Sequence, residues 1–129
     1  LGVGCRKGIG QQAMEEAFAA LLAQSGLCAE AFYKVCSIDL KRDEPGLRAF
    51  CAAHGFAFET FSAAQLAAVE GRFSSSGFVQ SVTGVDNVCE RSAVLGSGGT
   101  LYCKKQAGGG VTMAAAMAPF APDWRWQDE

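Results

Sequence analysis

Short apolar stretches alternate with longer stretches of helical period in this chain, and this alternation limits the possible folds more than any other feature. Apolar residues recur every three or four positions over residues 11–24, which predicts a helix that ends at Ser25-Gly26. Residues 1–4 and 33–38, on either side of that helix, predict strands. Strands that alternate with helices form a mostly parallel sheet, because each crossover helix returns the chain to the edge where the next strand begins.

The end of the chain predicts an antiparallel addition to that sheet. Residues 100–106 and 111–117 favour strands and flank a glycine-rich turn at 107–110, which is typical of a hairpin. Between the second predicted strand and this hairpin, a helix is predicted to begin at Glu44-Pro45-Gly46 and to end at His54-Gly55, followed by a strand at 56–61. A capping box of Ser62 and Gln65 predicts a helix through Glu70, and a loop follows at 71–77. The last predicted helix spans 85–95 and is capped by Asp86 or Asn87. We therefore expect one α/β domain over residues 1–129, with a mostly parallel sheet flanked by helices and a C-terminal antiparallel hairpin.

Composition and charge exclude several classes of protein. Half of the 129 residues are hydrophobic and 19% are charged, which is typical of a folded domain rather than a disordered chain. The formal net charge of −2 speaks against a nucleic-acid binder, because such domains usually carry a basic excess. No apolar run approaches the roughly 20 residues of a membrane span, and the chain does not open with the pattern of a signal peptide. We expect a cytoplasmic protein with no nucleic-acid or membrane partner.

Six cysteines raise the question of zinc or disulfides, but their spacing favours neither. No two of them form a C-x2–4-C unit, and the only histidine is His54, whereas a zinc site needs several such ligands close together. Most of the cysteines have apolar neighbours, as at Cys36 and Cys103, where a free thiol packs as a small hydrophobic group. We therefore expect free cysteines in a reducing compartment, no protein-bound metal and no cofactor.

Basic residues come in pairs at positions that favour a ligand site. Six of the eleven lysines and arginines form the doublets Arg6-Lys7, Lys41-Arg42 and Lys104-Lys105. The first two doublets directly follow predicted strands, and loops after parallel strands gather at the edge where open α/β sheets bind ligands. Glycines between Gly2 and Gly10 also favour a tight turn whose backbone N–H groups face an anion. These features predict a compact anionic ligand; the alternative is that each doublet is an ordinary pair of solvated loop charges.

Few residues stand out as candidates for acid–base or nucleophilic chemistry. Asp43 and Glu44 precede a predicted helix, where capping is the default role of a carboxyl group, whereas the small and apolar neighbours of Glu90 favour burial or a function. His54 ends a helix, which favours a plain C-terminal cation. Cys5 precedes a basic doublet that would lower the pKa of a thiol, although packing or backbone positioning is the better interpretation. The acid–base candidates are Asp39, Asp43, Glu44 and Glu90.

Four segments, in order, carry a family resemblance. They are GVGCRKG at residues 2–8, SIDLKRDEPGL at 37–47, Ser76 and Val79 with TGV at 83–85 and VCERSA at 88–93, and Lys104 with VTMA at 111–114. Together they resemble the C-terminal domain of the CbiG/CobE family of cobalamin-biosynthesis proteins over nearly the whole chain. The string at 37–47 is the most specific of the four.

The resemblance implies an α/β fold and a role in building the corrin ring, with an anionic tetrapyrrole as ligand and other enzymes of the corrin pathway as possible partners. Two-domain relatives act as cobalt-precorrin-5A hydrolase, which opens a lactone on the macrocycle and expels a two-carbon fragment as acetaldehyde. Glu90 or Glu44 would activate water. The residues implied in substrate binding are Gly4, Cys5, Arg6, Lys7, Gly8, Lys41, Asp43, Ser76, Thr83, Gly84 and Lys104.

Three functions of different classes stay open on the sequence alone. The chain is a hydrolase that opens the lactone of cobalt-precorrin-5A, a carrier that binds a tetrapyrrole intermediate without turnover, or a subunit that needs a further domain or partner. A securely placed general base would distinguish the first from the second, and binding of a corrinoid by the isolated chain would distinguish the third.

Overall fold

The computed structural model describes residues 1–69 and 87–118. Two short 3-10 turns, Ala29–Ala31 and Asp39–Lys41, accompany the regular elements. In chain order, the strands and helices are β1 (Gly2–Cys5), α1 (Gln11–Ser25), β2 (Lys34–Ile38), α2 (Pro45–His54), β3 (Ala57–Phe61), α3 (Ala63–Ala67), α4 (Val88–Ser97), β4 (Thr100–Gly108) and β5 (Val111–Met117).

The five strands form one mixed sheet in the order β3-β2-β1-β5-β4. Strands β1, β2 and β3 are parallel, whereas β5 runs antiparallel to both of its neighbours, β1 and β4. Four strands therefore point in the same direction and only β5 is reversed. This arrangement confirms the predicted α/β sheet with an antiparallel hairpin at one side.

Helices α1 and α2 cover one face of the sheet. Val3, Val35 and Met113 point from three neighbouring strands into this layer and are fully buried. Phe18 of α1 and Phe50 of α2 meet edge to face there, with ring centroids 5.4 Å apart. Each such side chain stabilises the fold by about 1.5–3 kcal/mol through burial, so this layer supplies the larger part of the core.

Helix α4 lies on the opposite face, where small residues let it approach the sheet. A Cβ atom on Gly2 of β1 would collide with the carbonyl oxygen of Cys89, so glycine is required at this contact. Ser92 donates to the carbonyl oxygen of Cys36 at 3.1 Å, and Lys34 donates to that of Gly96 at 3.0 Å. Because Lys34 begins β2, the C-terminal end of α4 lies at the start of the parallel strands and its N-terminal end lies toward their carboxyl ends.

The ends of several elements follow local sequence signals. Ser62 and Gln65 form the predicted capping box of α3, and Gly26 ends α1 in the left-handed conformation. Asn87, one of the two predicted caps, is the N-cap of α4. The predicted loop at 71–77 and the predicted start of this helix at 85–86 lie outside the described residues.

All six cysteines are free thiols in the structure. The described residues, 1–69 and 87–118, contain no helix with the length and hydrophobicity that a membrane span requires.

Candidate functional site

The carboxyl ends of β1 and β2 bring two basic doublets to one edge of the sheet. Arg6-Lys7 follows the last residue of β1, and Lys41-Arg42 stands at the end of the turn that follows β2. The backbone N–H of Arg6 donates to the carbonyl oxygen of Gly110 at 2.9 Å, which joins the hairpin turn to the same edge. We call this edge, formed by residues 6–9, 39–44 and 109–110, the cationic edge.

Glu44 ties the two basic loops together. It occupies the N-cap position of α2, but its carboxyl group makes no hydrogen bond to its own helix, so the capping role predicted for its side chain is wrong. Its Oε1 atom instead accepts from the backbone N–H of Gly8 at 2.9 Å. Gly8 has a φ of 81°, a conformation that other residues rarely adopt and that turns its N–H toward α2.

Close packing beneath this contact keeps the two loops in place. Gly46, in the first turn of α2, is buried against the carbonyl oxygen of Ile9, where a Cβ atom would collide. The loop after β1 and the start of α2 are therefore held by one hydrogen bond and one tight backbone contact.

The Cys5 thiol lies beneath the cationic edge. Burial raises the pKa of Cys5 to about 11, while the charge of Lys41 lowers it and that of Glu44 raises it. These opposing effects place the thiol near both residues. A thiol with a pKa this high is almost entirely protonated near neutral pH, which speaks against a nucleophilic role and favours packing.

Glu90 lies in the first turn of α4 and is 1% exposed. Its Oε1 atom accepts from the side-chain nitrogen of Asn87 at 2.6 Å, and its Oε2 atom accepts from the backbone N–H of Lys105 at 2.7 Å. Asn87 is the N-cap and has a φ of 52°, which asparagine tolerates better than most residues. Glu90 therefore connects α4 to the edge strand β4, a contact that no local sequence pattern predicts.

The register between β4 and β5 shifts at the point where Glu90 contacts β4. Cys103 pairs with Ala115 and Gln106 pairs with Met113, so three steps along β4 match two steps along β5. A shift of this kind is a β-bulge, which leaves one residue without a regular cross-strand partner. The Lys104-Lys105 doublet occupies this bulge.

Most of the chain matches one protein family. The sequence profile of the family described as "Cobalamin synthesis G C-terminus" matches residues 1–116. The chain belongs to this family. The match confirms the resemblance to CbiG/CobE proteins of cobalamin biosynthesis that the sequence motifs indicate.

Curated relatives of this CbiG-type domain are much longer than the chain. Cobalt-precorrin-5A hydrolase of Priestia megaterium is 31% identical over 121 residues, which cover 93% of this chain and 32% of the relative. Cobalt-precorrin-5A hydrolase of Salmonella typhimurium strain LT2 is 32% identical over 117 residues, which cover 91% of this chain and 33% of the relative. The chain thus spans about a third of the length of these relatives.

Solved structures support the fold of the CbiG-type domain. CobE, a protein from the cobalamin (vitamin B12) biosynthetic pathway, superposes with a TM-score of 0.81 at 28% identity, covering 88% of this chain and 84% of CobE. The cobalamin biosynthesis protein ChiG from Agrobacterium tumefaciens strain C58 superposes with a TM-score of 0.69 at 24% identity, covering 92% of this chain and 96% of that one. The second likeness concerns the fold alone.

The remaining candidate residues fall at several places in the CbiG-type domain. Asp43 is exposed on the cationic edge, and Asp39 begins the turn after β2. Gly4 is the next-to-last residue of β1, where its carbonyl oxygen accepts from the Thr112 hydroxyl at 3.3 Å, and Lys104 is exposed within β4, outside the cationic edge as defined above. The predicted binding residues Ser76, Thr83 and Gly84 lie outside the described residues.

His54 belongs to the packing of α1 and α2 rather than to the cationic edge. Its Nε2 atom lies 2.7 Å from Oε1 of Glu15, and its ring stacks on Phe56 with centroids 5.1 Å apart. Within the described ranges, no group of three or more His, Cys, Asp and Glu side chains is arranged to hold a metal ion.

Proposed function

We propose that this CbiG-type domain binds an acidic tetrapyrrole intermediate of cobalamin biosynthesis at the cationic edge and takes part in opening the lactone of cobalt-precorrin-5A. The observation that carries the proposal is the convergence of the loops after β1 and β2, with their two basic doublets, on one edge of the sheet. The names of the two curated relatives give the substrate its chemical class.

The charge of the edge suits such a ligand. Tetrapyrrole intermediates carry acetate and propionate groups around the ring, and Arg6, Lys7 and Lys41 provide exposed or partly exposed cations for them. A hydrogen bond between a charged side chain and a carboxylate contributes roughly 1.5–3 kcal/mol, so a few contacts give useful affinity without a deep pocket. The glycine-rich turn around Gly8 allows the backbone to approach the ring closely.

Two carboxyl groups are candidates for the activation of water, and their surroundings differ. Glu44 is partly exposed at the cationic edge, and its Oε1 atom accepts a hydrogen bond from the backbone N–H of Gly8. Glu90 is buried, and both of its oxygens accept hydrogen bonds from the protein. A general base must reach the attacking water directly, so access favours Glu44 as the base, with a lysine or a backbone N–H stabilising the oxyanion.

A second candidate function is a carrier that binds the tetrapyrrole without turnover. The chain spans about a third of its curated relatives, so the residues that complete a hydrolase site can lie in the remaining two-thirds of those proteins. The cationic edge alone is sufficient for the carrier role. A third role, as a subunit that needs a partner enzyme of the corrin pathway for binding, predicts no affinity in the isolated chain.

One incubation distinguishes these roles. The purified chain is incubated anaerobically with cobalt-precorrin-5A, and the products are followed by mass spectrometry and an acetaldehyde assay. Release of acetaldehyde supports the hydrolase, and an unchanged pigment that elutes with the protein on gel filtration supports the carrier. Pigment that elutes entirely apart from the protein overturns both roles for the isolated chain.

A further inference from the structure

The bulge in β4 puts two adjacent lysines on the same side of the sheet. Cys103 packs against the core beneath α1, and Gln106 lines a groove together with Ala13 and Ala17 of α1. In a regular strand, residues three positions apart face opposite sides, because side chains alternate. Since Cys103 and Gln106 both face α1, the two residues between them are directed away from that layer, toward the side of α4.

Glu90 is the residue that holds this irregular pairing. The backbone N–H of Lys105 donates to the Oε2 atom of Glu90 at 2.7 Å. A helix side chain thus accepts the hydrogen bond that a backbone carbonyl of a neighbouring strand would otherwise accept. Asn87 holds the other oxygen at 2.6 Å, so the carboxyl group is fixed from two sides. A buried polar group costs stability unless it is hydrogen-bonded. Glu90 is 1% exposed, and its hydrogen bonds shape β4.

The charge of Lys105 acts on the first turn of α4. Burial raises the pKa of the Cys89 thiol to about 12, whereas a hydrogen bond to Thr112 and the charge of Lys105 act in the opposite direction. Thr112 also donates to the carbonyl oxygen of Gly4, near the carboxyl end of β1. The Lys104-Lys105 doublet therefore lies on the α4 side of the sheet. It is level with Ala114 of β5, which pairs with Gly2 of β1, so it lies across the sheet from the cationic edge and closer to the start of β1 than to its carboxyl end.

We propose that Glu90 is a positioning residue, which holds the bulge so that Lys104 and Lys105 together form a second cation site for a carboxylate of the ligand. The inference rests on the proposed function, because it assigns the doublet to the same acidic tetrapyrrole. Without the bulge, strand alternation would direct the two lysines to opposite faces of the sheet, and only one of them would be available on the α4 side.

The test is a double-mutant cycle on ligand affinity. Uroporphyrin, which carries acetate and propionate groups, is titrated into the wild type, Lys104→Ala/Lys105→Ala, Glu90→Gln, and the triple variant, with circular dichroism to confirm the fold. We expect the lysine pair and Glu90→Gln each to weaken affinity about tenfold. We expect the triple variant to be no weaker than the lysine pair, because Glu90 acts only through the lysines.

A rescue variant separates positioning from a general loss of stability. In Glu90→Gln the new amide nitrogen meets the side-chain nitrogen of Asn87, so one bond is lost. In Asn87→Asp/Glu90→Gln the donor and acceptor of that bond are exchanged, and the glutamine oxygen can still accept from Lys105. We expect this double variant to recover most of the wild-type affinity and its salt dependence.

Each outcome bears on one proposal. A wild type that does not bind uroporphyrin overturns the proposed function. A wild type that binds, with affinity unchanged in Lys104→Ala/Lys105→Ala, overturns this inference alone, and that result does not depend on whether Glu90→Gln folds. Additive losses in the triple variant, or failure of a folded Asn87→Asp/Glu90→Gln to recover affinity, also overturn it.

Discussion

The carboxyl group of Glu44 accepts a hydrogen bond from the backbone N–H of Gly8 at 2.9 Å, across 36 positions of sequence. The bond joins the loop after the first strand to the start of the second helix. It places a carboxyl group beside Lys41 and above the Cys5 thiol. Burial has the largest effect on the pKa of this thiol and raises it, while the charge of Lys41 lowers it and that of Glu44 raises it. This one contact therefore shapes both the charge and the geometry of the cationic edge.

Glu44→Gln is expected to separate binding from turnover. The amide oxygen of glutamine can still accept from Gly8, so the loop should keep its shape, but the amide cannot take a proton from water. If the chain is a hydrolase, acetaldehyde release should fall by roughly 100- to 10,000-fold while pigment binding persists. Glu30→Gln, an exposed change in the Ala29–Ala31 turn, is the control. Full turnover by Glu44→Gln would show that another group activates the water.

Lys41→Ala is expected to weaken the binding of uroporphyrin about tenfold, because one charge-assisted contact to a carboxylate is lost. The matched control is Lys34→Ala, which removes a lysine from the start of β2, whereas Lys41 lies in the turn that follows the end of this strand. The Lys34 side chain pairs with Glu59 at 2.8 Å and donates to the carbonyl oxygen of Gly96 at 3.0 Å, so its removal affects contacts at the start of β2 but not the ligand. Fluorescence titration at two salt concentrations measures both. Equal losses in the two variants would mean that the lysines contribute only to overall charge.

Cys5 is expected to be alkylated much more slowly than Cys28 at pH 7.5, because burial raises its pKa to about 11. Cys28 is exposed and serves as the internal reference. Only the thiolate reacts, so the Cys5 rate should rise about tenfold per pH unit until pH approaches 11. Iodoacetamide labelling followed by peptide mass spectrometry gives both rates. A Cys5 rate close to that of Cys28 at pH 7.5 would contradict this account.

Gly2→Ala is expected to destabilise the fold by about 1–3 kcal/mol, because its Cβ atom would force α4 away from β1. Gly108→Ala is the control, since a Cβ atom there meets no neighbour, and it should change stability by less than about 0.5 kcal/mol. Urea denaturation followed by circular dichroism gives the free energy of unfolding of each variant. Similar values for the two variants would mean that α4 can shift at little cost.

Local patterns in the sequence predict the elements of this fold well. The helical period over residues 11–24 corresponds to α1, and Ser62 and Gln65 form the expected capping box. The predicted glycine turn joins β4 to β5, but β4 continues to Gly108, so the turn consists of Gly109 and Gly110. These elements follow from interactions within a few residues of each other. The position of two basic doublets at one edge also follows, because the direction of parallel strands determines where their loops lie.

Contacts between distant residues are what the sequence does not reveal. A carboxyl group before a helix is expected to cap it, yet Glu44 binds Gly8 instead, since that N–H approaches only after the sheet has formed. The bulge at Lys104-Lys105 depends on Glu90 from another element. In the same way, the basic neighbours of Cys5 suggest a lowered thiol pKa, but its burial beneath the loops has the larger and opposite effect.

The reversal of β5 also determines how the protein can be handled. Because β5 runs back across the sheet, Leu1 and Ala118 line the same shallow cleft, together with Lys34 at the start of the parallel strands. Leu1 and Ala118 therefore both lie on the side opposite the cationic edge. A surface link made at the exposed Tyr33, which lines the same cleft, would lie on that side, so that immobilisation on a sensor surface leaves the cationic edge facing the solution.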